Sequence, residues 1–598
     1  MRDYFGVEVY FVMNVTDVDD KIIIRGRQQH LFAEYLNKYM VVTREVLETA
    51  KKRIASISGR PCVLLIPIQN RNASLSKQSG FYGTVLRGGA LDPDGKLGDA
   101  EAKIRMHVNT VTRAARVIAE VQHQFNVNSE STTVDGDITS EAFYDATRDI
   151  FLPYIDSLKA SSVPGDTHEI FTKLTQKYED HFTQDMRALN VLDPDEITRV
   201  TEYSAEIADF VAKIVDNRFG YVTPDESVYF DIQQSENAGH HYARLEPWNR
   251  NNQPLQRDGE GALSKTAAAV HKRSPDDFAL WKASRPGEPT WPSPWGPGRP
   301  GWHIECSAMV SSRLGSQIDI HLGGIDLEFP HHDNELAQSE AYWSGDPDQQ
   351  WVNYFLHMGH LSIQGSKMSK SLKNFTTVRD ALDRGDWTPK GLRIVFLLGG
   401  WRDGIEISED LVKASSSWED KLTNFFINAK DVVRRSRLEE SSLANSDNKS
   451  PLSKALQAAK DNVHEYFCDP FNTPKVMTAI SDLVSVFNTQ YIRSLDLTAL
   501  RKILDQSSVS GLEASDSARP FLVVIENFRS SISLLQSEPR ESDKALSKQI
   551  LLLCDRLRDI ELFNLGVYLE DCDDMPALVR PVTRDILQAR EDLAQQIK

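Results

Sequence analysis

The sequence has few cysteines, no long apolar run and no excess of positive charge. Its five cysteines among 598 residues are odd in number and unpatterned, which is typical of a reducing compartment. No stretch approaches the ~18 apolar residues of a membrane span, and the first residues show no signal-peptide pattern. The net charge of −18 argues against non-specific nucleic-acid binding, although local patches can still recognise a folded RNA. Composition therefore favours an enzyme over a nucleic-acid-binding module, and we expect it in the cytoplasm.

The chain is too long for a single core, and its length predicts roughly three or four domains. Residues 7–15 (VEVYFVMNV) are nearly all apolar or β-branched, which predicts a strand buried on both faces of a parallel sheet. Residues 28–173 are mostly helical in pattern, apart from a discordant patch at 61–77 and a loop-like segment at 88–98. Helical spacing follows at 170–189 and 195–217, and a strand at 227–231.

A segment rich in proline and tryptophan lies at residues 285–302, which hold six prolines and three tryptophans. Proline excludes a regular element there, but linkers seldom carry so many tryptophans, so we expect an ordered loop that borders a site. Residues 436–453 and 507–519 have linker composition. Helical spacing at 411–435, 452–467, 473–492 and 542–564 predicts a helical bundle in the last third.

The five residues from Lys367 to Ser371 (KMSKS) follow an alternating run that predicts a strand. Two ammonium groups at the start of a loop can stabilise the oxygens of a triphosphate as charge builds during displacement. A solvated surface loop is the alternative for such residues.

A second candidate nucleotide site follows the predicted strand at residues 317–322, which ends in a Gly-Gly-Ile-Asp sequence. Ligands of doubly wound sheets bind where strands end in loops. Gly324 would let the backbone approach a nucleotide, and Asp326 could accept a hydrogen bond from a ribose hydroxyl. A tight turn would explain the glycines equally well.

A third candidate site combines Cys306 with the sequence Phe329-Pro-His-His-Asp-Asn-Glu335. Pro330 suits the first position of a helix, which places His331 and Glu335 one turn apart on one face. Thiolate, imidazole and carboxylate are ligands that zinc accepts, and three of them with an open position form a catalytic arrangement. His332 is on a different face of the helix, so we expect it to support a metal ligand or to contact the substrate. A surface pair of residues is the alternative for His331 and Glu335.

In this order the motifs resemble those of the cysteinyl-tRNA synthetases, a family of class I aminoacyl-tRNA synthetases. The matching stretches are residues 14–22 (NVTDVDDKI), 281–282 (WK), 291–306 (WPSPWGPGRPGWHIEC), 331–335 (HHDNE) and 367–371 (KMSKS). The resemblance covers residues 1–26 and about 171–403, and is looser beyond. Residues 28–173 resemble the insertion of the eukaryotic cytosolic branch, to which only the patch from Cys62 to about Gly80 is foreign.

The resemblance implies an α/β fold with a Rossmann-type parallel sheet, incomplete at its N-terminal end, an inserted connective domain and a C-terminal helical anticodon-binding bundle. It divides the chain into six parts. These are residues 1–27 (first Rossmann half), 28–170 (helical insertion), 171–295 (return helix and connective region), 296–360 (second Rossmann half), 361–405 (KMSKS loop and stem contact) and 406–598 (anticodon binding).

The resemblance also implies an activity: L-cysteine and ATP, with Mg²⁺, form cysteinyl-adenylate, and the cysteinyl group passes to tRNA(Cys). Zn²⁺ would bind the substrate thiolate and reject serine, whose hydroxyl is a poor ligand for a soft site. The implied residues are Cys306, His331 and Glu335 for the metal; Trp302, Thr16 and His332 for the substrate; Lys370, Gly324 and Asp326 for ATP; and Lys367 and Lys370 for catalysis.

The sequence departs from the family pattern at its start. A Cys-Gly pair that supplies a fourth zinc ligand and a His-x-Gly-His signature would both lie upstream of Met1. We therefore expect weak or no activity from this chain alone, and full turnover in cysteine-dependent pyrophosphate exchange would contradict that expectation. Two alternatives are a non-catalytic tRNA-binding or regulatory derivative, and a ligase that joins cysteine to a small amine. The helical residues after Asp403 speak against the second alternative. The oligomeric state stays open.

Overall fold

The computed structural model describes residues 1–58, 99–127, 139–261, 263, 271–344, 350–363, 366–367, 376–385, 387–438, 451–469, 471–491, 567–572 and 575–581. The chain forms two compact units: residues 1–389 with 401–408, and residues 390–400 with 409–598. No helix of the described residues is long and apolar enough to cross a membrane.

The first unit begins with a mainly helical part. It contains α1 (Arg2–Phe5), β1 (Val12–Val15), α2 (Asp20–Lys38), α3 (Arg44–Ser58), α4 (Asp99–Val127), α5 (Ser140–Lys159) and α6 (Glu169–Ala188). Side chains cap the N-termini of α2 and α5, because Asp19 accepts a hydrogen bond from the Ile22 N–H and Thr139 accepts one from the Ala142 N–H. The helices α2 to α5 share an apolar core that includes Leu31, Val46, Phe125, Phe143 and Phe151. The mostly helical pattern predicted over residues 28–173 is thus confirmed wherever it is described.

A sheet and several short helices follow in the first unit. These are β2 (Glu196–Arg199), α7 (Ser204–Asp216), β3 (Gly220–Val222), β4 (Val228–Phe230), α8 (Ile232–Asn237), α9 (Gln253–Gly259), β5 (Ala279–Ala283) and β6 (Gly298–Pro300). The strands β3 to β6 form an antiparallel sheet in chain order. Trp281 of β5 is fully buried, and Trp291 exchanges two backbone hydrogen bonds with Gly298. The proline- and tryptophan-rich segment is therefore ordered, as predicted. The expectation that proline excludes a regular element there is wrong, because β6 pairs with β5.

The remaining elements of the first unit surround the predicted sites. They are α10 (Trp302–Leu314), β7 (Ile318–Gly324), α11 (Asp333–Tyr342), β8 (Val352–Met358), β9 (Leu361–Ile363), β10 (Ser366–Lys367), α12 (Val378–Asp383) and β11 (Ile405–Ile407). Among the described strands, three pairs are parallel: β1 with β2, β7 with β8, and β9 with β11. β9 lies between antiparallel β10 and parallel β11. Parallel strands joined through helices agree with the predicted α/β class.

Two of the local predictions are wrong. The strand expected over residues 7–15 is only the four residues of β1, and Val7, Tyr10 and Phe11 are 44%, 55% and 41% exposed rather than buried on both faces. The apolar composition was a poor guide, because a strand is buried on both faces only where other elements cover both of them. β1 itself is only partly buried. The helix expected over 195–217 begins only at Ser204, because Glu196–Arg199 pairs with β1 instead.

The second unit is helical in its described core. It contains α13 (Pro389–Leu398), α14 (Glu409–Leu438), α15 (Pro451–Cys468), α16 (Thr473–Tyr491) and an antiparallel hairpin of β12 (Val567–Cys572) and β13 (Met575–Pro581). Phe425, Leu456, Val484 and Phe487 form its core. The helices predicted at 411–435, 452–467 and 473–492 are confirmed, whereas the hairpin was missed.

Several predictions fall outside the described residues. They concern the patch at 61–77, the foreign patch that reaches about Gly80, the loop at 88–98, the linker at 507–519 and the helix at 542–564. Of the linker predicted at 436–453, the structure describes only the ends, which belong to α14 and α15. The six-part division of the chain stays a prediction.

Candidate metal centre

The predicted metal ligands come from two neighbouring helices. Gly301 caps α10, so Cys306 lies one turn inside that helix. Ahead of α11, Phe329 has extended backbone angles (φ −134°, ψ 134°), and helical backbone resumes at Pro330. A proline favours this arrangement because it disfavours helix in the residue before it and fits the first helical position. His331 and Glu335 consequently face the same side.

The side chains of Cys306, His331 and Glu335 form a buried cluster. One ligand atom of each lies within 4.8 Å of the others, and the residues are 5%, 4% and 0% exposed. The His331 Nε2 to Glu335 Oε1 distance is 2.7 Å, yet Oε1 makes no hydrogen bond within the described part of the chain. Zinc bond lengths place tetrahedral ligands about 3.3–3.7 Å apart, so these two atoms would have to move slightly apart around an ion. A buried oxygen without a hydrogen bond beside an imidazole nitrogen and a thiol sulfur fits a zinc ion.

The electrostatics of the cluster also suit a cation. Burial acts to raise the pKa of Glu335, but His331 and His321 outweigh it and hold that pKa well below its usual range. Burial, with the nearby Glu335 and Glu305, raises the pKa of the Cys306 thiol well above its usual value. Burying a carboxylate and a thiolate side by side costs free energy, and a divalent cation bound between them lowers that cost.

Two aromatic residues of α10 surround His331. The His303 Nδ1 atom lies 2.9 Å from His331 Nδ1, so one of the two rings donates to the other. Burial lowers the pKa of His303, which keeps its ring neutral. Trp302 stacks on His331, with 4.4 Å between ring centroids and 21° between planes. These contacts fix the orientation of His331.

A second group of histidines lies on the other side of Glu335. His321 Nε2 is 2.6 Å from Glu335 Oε2, and the His321 ring stacks on His332 at 4.2 Å. His332 Nδ1 is 2.7 Å from His357 Nε2, and burial lowers the pKa of His332 to about 3. His321, His332 and Glu335 also satisfy the distances of a metal cluster. His332 thus belongs to this second group, which shares Glu335 with the Cys306 cluster.

The other predicted residues lie at strand ends. Thr16 follows β1 directly, and Asn14 within β1 donates a hydrogen bond from Nδ2 to Cys306 Sγ at 3.2 Å. Gly324 ends β7. Asp326 is 54% exposed in its side chain, and its Oδ1 is 3.8 Å from His360 Nδ1.

The structure describes little of the KMSKS loop. In β10, the backbone of Lys367 pairs with Ser362. The side chain of Lys367 and the whole of Lys370 lie outside the description. The roles assigned to all of the site residues stay predictions.

Three residues of the site were missed from the sequence: Asn14, His303 and His321. His321 had a detectable signal, since it alternates with Ile320 and Leu322 in a strand just before the His-His motif. His303 also had a signal in the sequence, since it follows Trp302 in the matched stretch 291–306. For Asn14 the contact spans 292 residues of sequence, and no local pattern predicts it.

Comparisons with known proteins identify the family. The model of the class I (C) tRNA synthetase catalytic domain matches residues 1–417. A cytoplasmic cysteine–tRNA ligase of Macaca fascicularis is 37% identical over 629 residues, which cover 99% of this chain and 76% of the relative. The corresponding human protein is 37% identical with the same coverage, and that of Drosophila melanogaster is 37% identical over 99% of this chain and 78% of the relative.

Among solved structures, a methionyl-tRNA synthetase of Mycobacterium tuberculosis in complex with methionyl-adenylate is 14% identical, with a TM-score of 0.39. The match covers 68% of this chain and 79% of that one, a likeness too low to bear on function. The family model spans more than half of this chain, and curated relatives above 30% identity match it almost throughout. The chain therefore belongs to the cysteine–tRNA ligases, a family of enzymes with a class I tRNA synthetase catalytic domain.

Proposed function

We propose that this chain activates L-cysteine with ATP and transfers the cysteinyl group to tRNA(Cys) in the cytoplasm. The observation that carries the proposal is the buried cluster of Cys306, His331 and Glu335 in a chain of the cysteine–tRNA ligase family. A specificity site for cysteine needs a group that distinguishes a thiol from a hydroxyl. A soft metal makes that distinction because it binds a thiolate far better than an alcohol.

In this proposal the Cys306 Sγ, the His331 Nε2 and the Glu335 Oε1 would hold Zn²⁺. When bound, the ion supplies a position for the substrate's thiolate and so favours cysteine over serine. A site that satisfies one specific polar group of its substrate in this way can discriminate between two substrates by a factor of about 10⁴ or more without editing.

The surrounding residues orient these ligands. When the Nδ1–H of His331 donates a hydrogen bond to His303 Nδ1, the Nε2 lone pair of His331 is free for the metal. His321 donates from Nε2 to Glu335 Oε2 and leaves Oε1 for the metal. The Trp302 ring, half-buried beside His331, would pack against bound cysteine, and Thr16 and His332 would contact the same substrate.

The ATP side of the site is proposed at the strand ends that follow the metal centre. Gly324 and Asp326 would contact the nucleotide, and Lys367 and Lys370 would hold the phosphates of ATP with Mg²⁺. Ammonium groups suit this role because they stabilise charge that develops on phosphoryl oxygens. Residues 406–598 would contact the anticodon part of the tRNA.

The proposal is tested by pyrophosphate exchange with cysteine and with serine, alongside binding of tRNA(Cys). We expect exchange that depends on cysteine and is absent with serine. Equal exchange with serine would contradict the proposed specificity. Binding of tRNA(Cys) with no exchange at all would favour the non-catalytic derivative.

A further inference from the structure

One contact of the metal centre comes from a residue of the matched stretch 14–22 to which the resemblance assigns no role. Asn14 in β1 points its side-chain amide at Cys306, with 3.2 Å between Nδ2 and Sγ. The pairing of Asn14 with Thr198 in the parallel β1–β2 ladder fixes the position of its backbone. The amide thus reaches the sulfur from β1, whereas the sulfur belongs to a residue of α10.

The surroundings of the Cys306 sulfur favour a hydrogen-bond donor. The fully buried Glu335 carboxylate belongs to the same cluster, so the thiolate has an anionic neighbour. A neutral amide N–H is a donor that adds no charge, and a thiolate accepts hydrogen bonds better than a thiol. Asn14 is exposed as a whole residue, and its hydrogen bond to the sulfur is partly buried.

We propose that Asn14 is a positioning residue of the metal centre, which donates an N–H to the Cys306 thiolate and holds it in the orientation that binds the metal. This inference rests on the metal site of the proposed function. Groups that hydrogen-bond to metal ligands orient them and adjust their electron donation, and losing one costs about 10–100-fold in metal affinity. Asn14 acts through Cys306 and needs no contact with the substrate.

The test compares the purified chain with Asn14→Leu, which has similar size and no donor. Zn²⁺ affinity is measured by competition with a chromophoric chelator, and we expect it to fall about 10–100-fold. With Co²⁺ in the site, the sulfur-to-metal charge-transfer band reports on the thiolate directly. Losing the N–H donor raises the energy of the sulfur lone pairs, so the band should move to lower energy.

Asn353→Leu is the matched control, because Asn353 also lies on a strand and donates a side-chain hydrogen bond, to Asp319 at 3.4 Å. It should leave both readouts unchanged. Thermal unfolding of the metal-free proteins checks folding, and Asn14→Ala is used if the leucine destabilises the strand. The inference is overturned if both Asn14 variants keep the wild-type affinity and band position. Failure of the wild-type chain to bind Zn²⁺ or Co²⁺ would instead contradict the metal site of the proposed function.

Discussion

His331 and Glu335 face each other one helical turn apart, with 2.7 Å between Nε2 and Oε1 and with both side chains buried. The carboxylate uses its two oxygens differently. Oε2 lies 2.6 Å from His321 Nε2, and Oε1 makes no hydrogen bond within the described residues. The shape of the site therefore leaves Oε1, the His331 nitrogen and the Cys306 sulfur for a shared cation.

Replacing Glu335 by glutamine should reduce Zn²⁺ affinity by at least about 100-fold, because it removes the anionic ligand from a buried site. Chelator competition measures the affinity. Glu206→Gln changes an exposed carboxylate on α7 in the same way and should have no effect. Wild-type affinity in the Glu335 variant would remove that residue from the ligand set.

Replacing His321 by alanine should weaken Zn²⁺ binding by about 10–100-fold without removing a ligand, since the Glu335 carboxylate loses the donor on Oε2. His321→Gln keeps a side-chain donor and should recover part of the loss. Metal content after dialysis against a range of Zn²⁺ concentrations measures both. Equal losses in the alanine and glutamine variants would contradict a hydrogen-bonding role.

Two adjacent glycines at the end of β7 should tolerate alanine differently. A Cβ on Gly323 would lie 2.5 Å from His332 Cε1, whereas among the described residues a Cβ on Gly324 would come close only to the exposed Asp326 side chain. Gly323→Ala should lower the free energy of unfolding by about 1–3 kcal/mol because the buried ring must move. Gly324→Ala is the matched control and should stay within about 0.5 kcal/mol of wild type. Similar losses in both variants, measured by denaturant unfolding, would argue against close packing at His332.

Asp17 gives a prediction about pH. Burial raises its pKa above the ordinary 3.8, although hydrogen bonds from Thr201 oppose the shift. The folded state therefore holds this proton more tightly than the unfolded state. Its contribution to stability is fully present below pH 3.8 and is lost as the pH rises through the folded pKa.

Asp17→Asn should raise the free energy of unfolding at pH 7 by on the order of 1 kcal/mol. The amide can accept from the Thr201 N–H and donate to its hydroxyl, so both hydrogen bonds survive without the buried charge. Melting curves between pH 4 and pH 7 measure the effect, and Asp209→Asn on the exposed side of α7 is the control. A loss of stability at pH 7 in the Asp17 variant would contradict this account.

The sequence predicted the parts of the site that lie close together in the chain. His331 and Glu335 follow a proline at helical spacing, and Cys306 stands in a long matched motif, so all three were found. The contacts of Asn14 and His321 were missed because they depend on how β1 and β7 pack beside the two helices.

Local composition was a weaker guide to burial and pairing. The apolar run at residues 7–15 predicted a longer strand than β1, because hydrophobicity does not reveal which neighbours cover a strand. Residues 196–199 have a pattern that helix and strand share, and pairing with β1 decided between them.

The central claim is that the Cys306–His331–Glu335 cluster binds a metal that selects cysteine by its thiol. Calorimetric titration of L-cysteine and of L-serine into the Zn²⁺-loaded chain and into the chelator-stripped chain tests it most directly. We predict that cysteine binds the loaded chain, that stripping the metal or the Cys306→Ala substitution abolishes this binding, and that serine does not bind measurably. Equal cysteine binding with and without metal, or equal binding of cysteine and serine, would contradict the account.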